Sequence, residues 1–258
     1  MIPEHYTQAA EAIASSRHLI AFTGAGISVE SGVPPFRGPG GIWNHYDPRL
    51  LEIDFFRRFP QQSWETIRKI FYRYFNHADP NPAHQILAEL EHNGTLKTII
   101  TQNIDNLHQA AGSQNVIEFH GNSSYLICMD CHTRVPVRPE LIEMVLPKCM
   151  DCGGTLKPDF VFFGEPIPDQ AYHDSMRAAY QADVVLVIGS TGEVMPACNV
   201  PFTAKEHGAT IIEINIQASR FTSSITDIYI PDQAGTGMRE IKRRLNFKEG
   251  STLSSGSE

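Results

Sequence analysis

Ser16 to Glu30 reads SRHLIAFTGAGISVE. An unbroken apolar run, His18 to Phe22, meets a glycine turn, Gly24-Ala25-Gly26-Ile27-Ser28, which leads into the start of a helix. A run apolar at every position fits a strand buried on both faces. Glycines let the backbone approach a ligand closely, and a helix N-terminus behind them offers free N–H groups to a phosphate. The same residues also suit an ordinary strand–helix turn. G-x-G is common, and the fuller G-x-G-x-x-G is not completed, because Val29 stands where a third glycine would be and the next is Gly32.

The pattern repeats downstream. Pro82 to Asn93 is an amphipathic helix that Gly94 can end, followed by a strand at Lys97 to Thr101. Pro168 to Gln181 reads as a helix, and Asp183 to Ile188 as an apolar strand ending in Gly189-Ser190-Thr191-Gly192. Val200 to Gly208 reads as a helix, Thr210 to Ile214 as a strand ending at Asn215, and Met238 to Leu245 as a short last helix. Apolar strands alternating with helices give a parallel sheet covered on both faces, an α/β fold. Ser31 to Pro48 is too rich in Gly and Pro for a regular element, and so long a loop is usually functional or mobile. Leu50 to Asn76 has helical periodicity and many aromatics, which fits the core of a helical subdomain. Lys248 to Glu258 is a polar, Ser-rich tail that reads as disordered.

A chain of 258 residues suits one large domain with a small insert. The formal net charge of −8 argues against nucleic acid as a direct partner, since phosphate binding needs clustered Lys and Arg. No apolar run is long enough to span a membrane, and the N-terminus lacks the basic-then-apolar pattern of a secretory signal, so a cytosolic setting is the default. Nothing in the sequence speaks to oligomeric state.

Four of the five cysteines form two C-x-x-C pairs, Cys128/Cys131 and Cys149/Cys152, with seventeen residues between them. That spacing matches a zinc ribbon. Four thiolates fill a tetrahedral Zn²⁺ and leave no open position, so the metal would be structural. His132, next to Cys131, reads as a bystander.

Thr101 to Cys131, TQNIDNLHQAAGSQNVIEFHGNSSYLICMDC, crowds polar groups behind a strand. Asn103 and Asp105 can read an amide by donating and accepting hydrogen bonds. His120, beside Gly121, has the free pKa of about 6.5 that suits a general base, although in a chain with eleven histidines a lone His is more often structural. Phe160 to Glu165, FVFFGE, could pair with an extended peptide or could simply be a core strand.

Taken in order, GAGISVESGVPPFRG, TQNIDNLH, VIEFHG, the two C-x-x-C pairs, FVFFGE, GSTGEVMPA and EIN resemble the sirtuins, the NAD-dependent protein lysine deacylases. The resemblance spans roughly Ser16 to Leu245. It implies a Rossmann-type parallel-sheet domain with a small domain made of a helical insertion and a zinc ribbon. The Rossmann part would be 1–35, 83–120 and 166–247, the helical insertion and cofactor loop 36–82, and the ribbon with the substrate strand 121–165, leaving 248–258 as the tail.

The resemblance also implies roles. Gly24, Ala25, Gly26 and Ser28 would hold the pyrophosphate of NAD, with Phe36 and Arg37 on the loop that closes over the nicotinamide end. Gln102, Asn103, Ile104 and Asp105 would contact ribose and nicotinamide. Gly189, Ser190, Thr191 and Asn215 would bind the adenosine half, with Ala234 against adenine. Val161, Phe163, Gly164 and Glu165, with Gly192 and Val194 opposite, would sandwich an acyl-lysine peptide. The acyl oxygen would attack C1′ of the nicotinamide ribose, nicotinamide would leave, and His120, with Asn103 as the other catalytic residue, would activate a ribose hydroxyl. Structural Zn²⁺ would sit on Cys128, Cys131, Cys149 and Cys152.

The chain departs from the family at Pro35, where Asp is usual, and at Ser190-Thr191. It also departs at Arg68 and Phe71, which stand where succinyl-removing members carry Tyr and Arg. A shifted helix register could still bring Arg73 to that site. Gly192-Glu193 resembles the Gly-Val of the succinyl-removing members, but the missing arginine favours acetyl or other neutral acyl groups. Two other readings use overlapping features. An ADP-ribosyltransferase or NAD hydrolase on the same scaffold could dispense with His120, and a plain Rossmann dehydrogenase would leave the ribbon and FFGE unexplained.

Overall fold

The computed structural model describes residues 2–38, 40–75 and 77–251. In chain order its strands are β1 (Leu19–Thr23), β2 (Leu96–Thr101), β3 (Val116–Glu118), β4 (Gly121–Cys128), β5 (Arg134–Pro136), β6 (Leu156–Phe160), β7 (Val184–Ile188), β8 (Thr210–Ile214) and β9 (Ile228–Ile230). Six of them form one sheet in the order β3-β2-β1-β7-β8-β9, parallel throughout. The chain builds outward from β1 in one direction, returns, and builds outward from β7 in the other, so the sheet has a switch point between β1 and β7.

Side-chain alternation explains why these strands are apolar at every position. Leu19 and Ala21 enter a core formed with helices Ile2–Ser15, Pro82–His92 and Ala234–Ser251, where Tyr6, Ala9 and Ile13 meet Leu87 and Met238. Ile20 and Phe22 enter the opposite core with Val185, Val187 and Phe221. Both faces are covered, so a polar residue on either would be buried unpaired. The first helix was not legible from the sequence beforehand, although its buried positions follow helical spacing.

The other three strands make an antiparallel sheet, β5-β4-β6, carrying the cysteine knuckles. It shares a third core with the helical insertion. Phe56, Trp64 and Phe71 pack with Leu126, Leu156, Phe160 and Phe162, and the Trp64 indole N–H donates to the Leu156 carbonyl at 2.8 Å.

Three expectations are corrected and one is refined. The glycine turn opens not an α-helix but a 3₁₀ segment, Ala25–Ser31, which left-handed Gly32 (φ 85°) ends. Leu50 to Asn76 is helical as expected over its described residues, but in short pieces. A 3₁₀ turn, Pro48–Leu51, precedes helices Ile53–Arg58 and Pro60–Ile67, a π-turn at Arg68–Tyr72 and a last turn at Arg73–Phe75. Pro60, lacking an N–H, starts a new helix rather than continuing the old one. The FVFFGE run leaves its strand at Phe160, because Phe163 bonds instead to the insertion, donating to the Leu51 carbonyl at 2.9 Å. The last helix runs Ala234–Ser251, longer than expected and through the first residues of the tail, whose remainder, 252–258, lies outside the described residues. Among the described residues no helix is long and apolar enough to cross a membrane.

Candidate active site

The carboxyl ends of β1, β2, β7 and β8 open into one cavity of about 820 Å³, within the range of ligand sites. A crevice at this edge, beside the switch point, is where open α/β sheets bind ligands. Gly24 follows β1, Gln102 follows β2, Gly189 follows β7 and Asn215 follows β8, and all four line the cavity.

The glycines there serve first to bring two loops together. Gly26 N–H donates to the Gly189 carbonyl at 2.9 Å. A Cβ on Gly26 would lie 2.6 Å from the Gly189 Cα, and one on Gly189, whose φ is 65°, would lie 2.3 Å from the Ile27 nitrogen. Backbone cannot yield as a flexible side chain can, so Gly26→Ala is expected to cost about 1–3 kcal/mol of stability, which thermal melts measure. The loop after β7 is tied to the ends of β2 and β8 by further polar contacts. Gln102 Nε2 donates to the Ser190 hydroxyl at 2.9 Å, and Asn215 Nδ2 donates to the Ser190 carbonyl at 3.0 Å.

His120 follows β3 and lines the same cavity. Its Nδ1 lies 3.1 Å from the Gln102 carbonyl. A carbonyl only accepts, so Nδ1 carries the proton and Nε2 is the free basic atom. Burial lowers the pKa of the imidazole below its ordinary value, opposed by that hydrogen bond.

Across the cavity stand Phe36, Trp43, Phe71, Phe160 and Phe162, with Val161, Phe163 and Gly164 beside them. Phe71 rests against both Phe36 and Phe160. Arg68 points elsewhere, its guanidinium donating to the Met144 carbonyl at 2.8 Å, and Arg73 is exposed and off the wall despite the π-turn. Trp43, Phe71 and Tyr172 reach the cavity but were not singled out beforehand as ligand-binding side chains; Phe71, placed by counting back from Pro80-Asn81, was the one with a signal.

Ala25, Arg37, Asn103, Ile104, Glu165, Thr191, Val194 and Ala234 also line the cavity. Ser28, Asp105 and Gly192 do not. Ser28 and Asp105 form a buried layer behind the wall. The Ser28 hydroxyl donates to Asp105 Oδ2 at 2.7 Å, and Asn103 Nδ2 donates to both Ser28 Oγ and the Gly24 carbonyl at 3.2 Å. Burial raises the Asp105 carboxyl. Gly192 instead packs on Phe221.

Two more buried groups back this layer. His84 and His108 stand edge to face at 4.9 Å, and burial pulls them down to about 4 and about 3. Because both folded values lie below the free value of about 6.5, the unfolded chain binds more protons. Their contribution is complete above pH 6.5 and is lost as pH falls below it. Moving from pH 7 to pH 5 is expected to remove roughly 4 kcal/mol of stability, readable from denaturant melts. His84→Asn should flatten part of that slope.

The cysteines form a closed cluster. All four Sγ atoms lie within 4.8 Å of one another, with Cys128–Cys152 at 3.5 Å and Cys131–Cys149 at 3.7 Å. A tetrahedral site with bonds of about 2.3 Å has sulfurs about 3.8 Å apart, so the set fits Zn²⁺. The two knuckles repeat one geometry. His132 N–H donates to the Cys128 carbonyl and Gly153 N–H to the Cys149 carbonyl, with positive φ at both His132 (61°) and Gly153 (75°). His132 is thus a turn residue of the knuckle.

Comparison with known proteins agrees with this geometry. The Sir2 family profile matches residues 24–196. An NAD-dependent protein deacylase of Thermococcus kodakarensis is 46% identical over 92% of this chain and 94% of its own. A Sir2 homologue solved as an NAD complex superposes with a TM-score of 0.86 at 40% identity, covering 93% of this chain and 94% of that one. A Sir2 structure with p53 peptide and NAD⁺ superposes at 0.84 and 33% identity, covering 95% and 98%. A doubly wound sheet with its cavity at the switch point, a tetrahedral cysteine set and likeness over nearly the whole length lead to one assignment: this chain belongs to the Sir2 family.

Proposed function

We propose that this chain is an NAD-dependent protein lysine deacylase, transferring the acyl group of an acyl-lysine to ADP-ribose with release of nicotinamide. One observation carries the reading: a single cavity holds the strand-end glycines and amides, the free Nε2 of His120 and an aromatic wall. Bound NAD supplies an electrophilic C1′ and a nicotinamide leaving group. The chain's residues do the rest. Gly24, Ala25, Gly26, Gln102, Gly189, Ser190, Thr191, Asn215 and Ala234 hold the dinucleotide. Asn103 and Ile104 face its nicotinamide end, and Ser28 and Asp105 brace them from behind. Phe36, Arg37 and Phe163 shield the reacting atoms from water, which would otherwise compete with a weakly nucleophilic amide oxygen. His120 takes a proton at Nε2. Val161, Phe163, Gly164 and Val194 flank the peptide. In this reading residues 1–35, 83–120 and 166–247 bind NAD, while 36–82 and 121–165 form the small unit. A cytosolic setting would keep the four ligand thiols reduced.

The wall around Phe71 is apolar, with Arg68 and Arg73 turned away, which favours neutral acyl groups: a charged acyl carboxylate would be desolvated there without a partner. A panel of acetyl-, propionyl- and succinyl-lysine peptides with NAD, followed by nicotinamide release, tests this. Acetyl and propionyl should turn over at least about tenfold faster than succinyl, since one unpaired buried charge easily costs the ~1.4 kcal/mol that a factor of ten requires. Equal rates would overturn the neutral-acyl reading.

A further inference from the structure

Lys157 is the one Lys or Arg buried among the described residues, at 4% exposure. It lies on β6, opposite Ile127 of β4, with its side chain enclosed rather than in solvent. A buried ammonium needs partners for all three of its protons, and this one has them. Nζ donates to the Pro158 carbonyl at 2.9 Å, to the Phe160 carbonyl at 2.7 Å and to Glu165 Oε2 at 2.9 Å. The Phe162 ring lies 4.3 Å from the same nitrogen.

Pro158 lies on β6 itself, but Phe160, Phe162 and Glu165 belong to the stretch that leaves β6 at Phe160 and turns through the cavity wall. Glu165 closes the turn from the other end: its Oε2 also accepts the Phe162 N–H at 2.8 Å, and its own N–H donates to the Phe162 carbonyl at 3.0 Å. The outer anchors of the segment are different. Val161 N–H donates to the His120 carbonyl and Phe163 N–H to the Leu51 carbonyl, both at 2.9 Å. The backbone from Phe160 to Glu165 is therefore held from outside by the two flanking units and from inside by one ion pair. Burial lowers the Lys157 ammonium and the Glu165 charge opposes that, which fits a pair held together by its own geometry.

We propose that the Lys157–Glu165 pair is an internal clasp that sets the shape of the acyl-peptide-binding turn, with Lys157 a positioning residue and Glu165 acting through the turn rather than by touching substrate. The inference rests on the deacylase reading. It also gives Glu165 a role within the turn, since its Oε2 is taken by Lys157 and Phe162.

The test is steady-state kinetics with acetyl-lysine peptide, resolving KM for peptide from KM for NAD, on Lys157→Met, Lys157→Arg, Glu165→Gln and the Lys157→Met/Glu165→Gln double variant, each checked for melting temperature. Lys157→Met should raise KM for peptide by about tenfold, since small displacements of a positioning segment are costly, and leave KM for NAD within about twofold. Lys157→Arg should recover most of the loss. Glu165→Gln keeps an acceptor for Phe162 and should give a rise of about threefold, which tests the clasp even if Lys157→Met folds poorly. The double variant should be no worse than Lys157→Met, because the two residues act as one unit. Equal rises in both KM values, a fall in melting temperature with KM for peptide unchanged, or additive single effects would overturn the clasp. If the unaltered enzyme released nicotinamide without needing peptide, the deacylase reading itself would fall, and the clasp with it.

Discussion

His120→Ala is expected to reduce deacylation by about 10²–10⁴-fold while leaving the dissociation constant for NAD within about threefold. The separation follows from geometry. The residues proposed to hold the dinucleotide are fixed by their own contacts, Gly26 to Gly189, Gln102 to Ser190 and Asn215 to Ser190, and none of these runs through the imidazole. His120 touches that framework only through the Gln102 carbonyl. Isothermal titration with NAD alongside peptide turnover separates the two effects. Loss of NAD binding or of folding would mark the imidazole as structural. The pH profile of the unaltered enzyme supplies a second check. Burial disfavours the protonated imidazole, so the base stays active to lower pH than a free histidine would, and the acid limb of kcat/KM should fall below the ordinary histidine range. An acid limb above that range would contradict Nε2 as the base.

Cys149→Ser is expected to lower zinc content from about one per chain to near zero and to lower the melting temperature by about 6–10 °C, the shift that a loss of roughly 3–5 kcal/mol produces in a chain of this size. Cys149 is 4% exposed and sits in the same core as Trp64, Phe71 and Phe160. Releasing the metal therefore loosens the aromatic wall of the cavity as well as the ribbon, and peptide turnover should fall together with zinc content. Metal analysis and calorimetry on the variant, with a chelator-treated sample as a parallel, read this out. A zinc-free variant that melted normally would contradict a structural metal.

Strand-and-helix alternation was legible because burial on both faces leaves a continuous apolar signature, as in Asp183 to Ile188 and Thr210 to Ile214. The cysteine set was legible because C-x-x-C is itself a turn geometry. What escaped reading was set by packing between distant segments. Nothing around Pro60 alone says how the insertion breaks into short helices, since Phe56 and Trp64 orient against Phe162 and Leu156, about a hundred residues downstream. FVFFGE reads locally as a strand, yet Leu51 and Glu165 draw it into a turn. The resemblance implies ligand contacts for Ser28 and Asp105, whereas the fold pairs them with each other behind the wall, a packing no local pattern records. Lys157 gave no signal, because a lysine in sequence is read as exposed and only the fold shows it enclosed.

The central claim is that one cavity joins NAD cleavage to an acyl-lysine. Its most direct measurement is nicotinamide release by the purified protein, with NAD saturating, in the presence of an acetyl-lysine peptide and of the same peptide unacetylated. The expected result is release that depends on the acetyl group and matches, mole for mole, the free lysine formed. Nicotinamide released at the same rate with either peptide would contradict it.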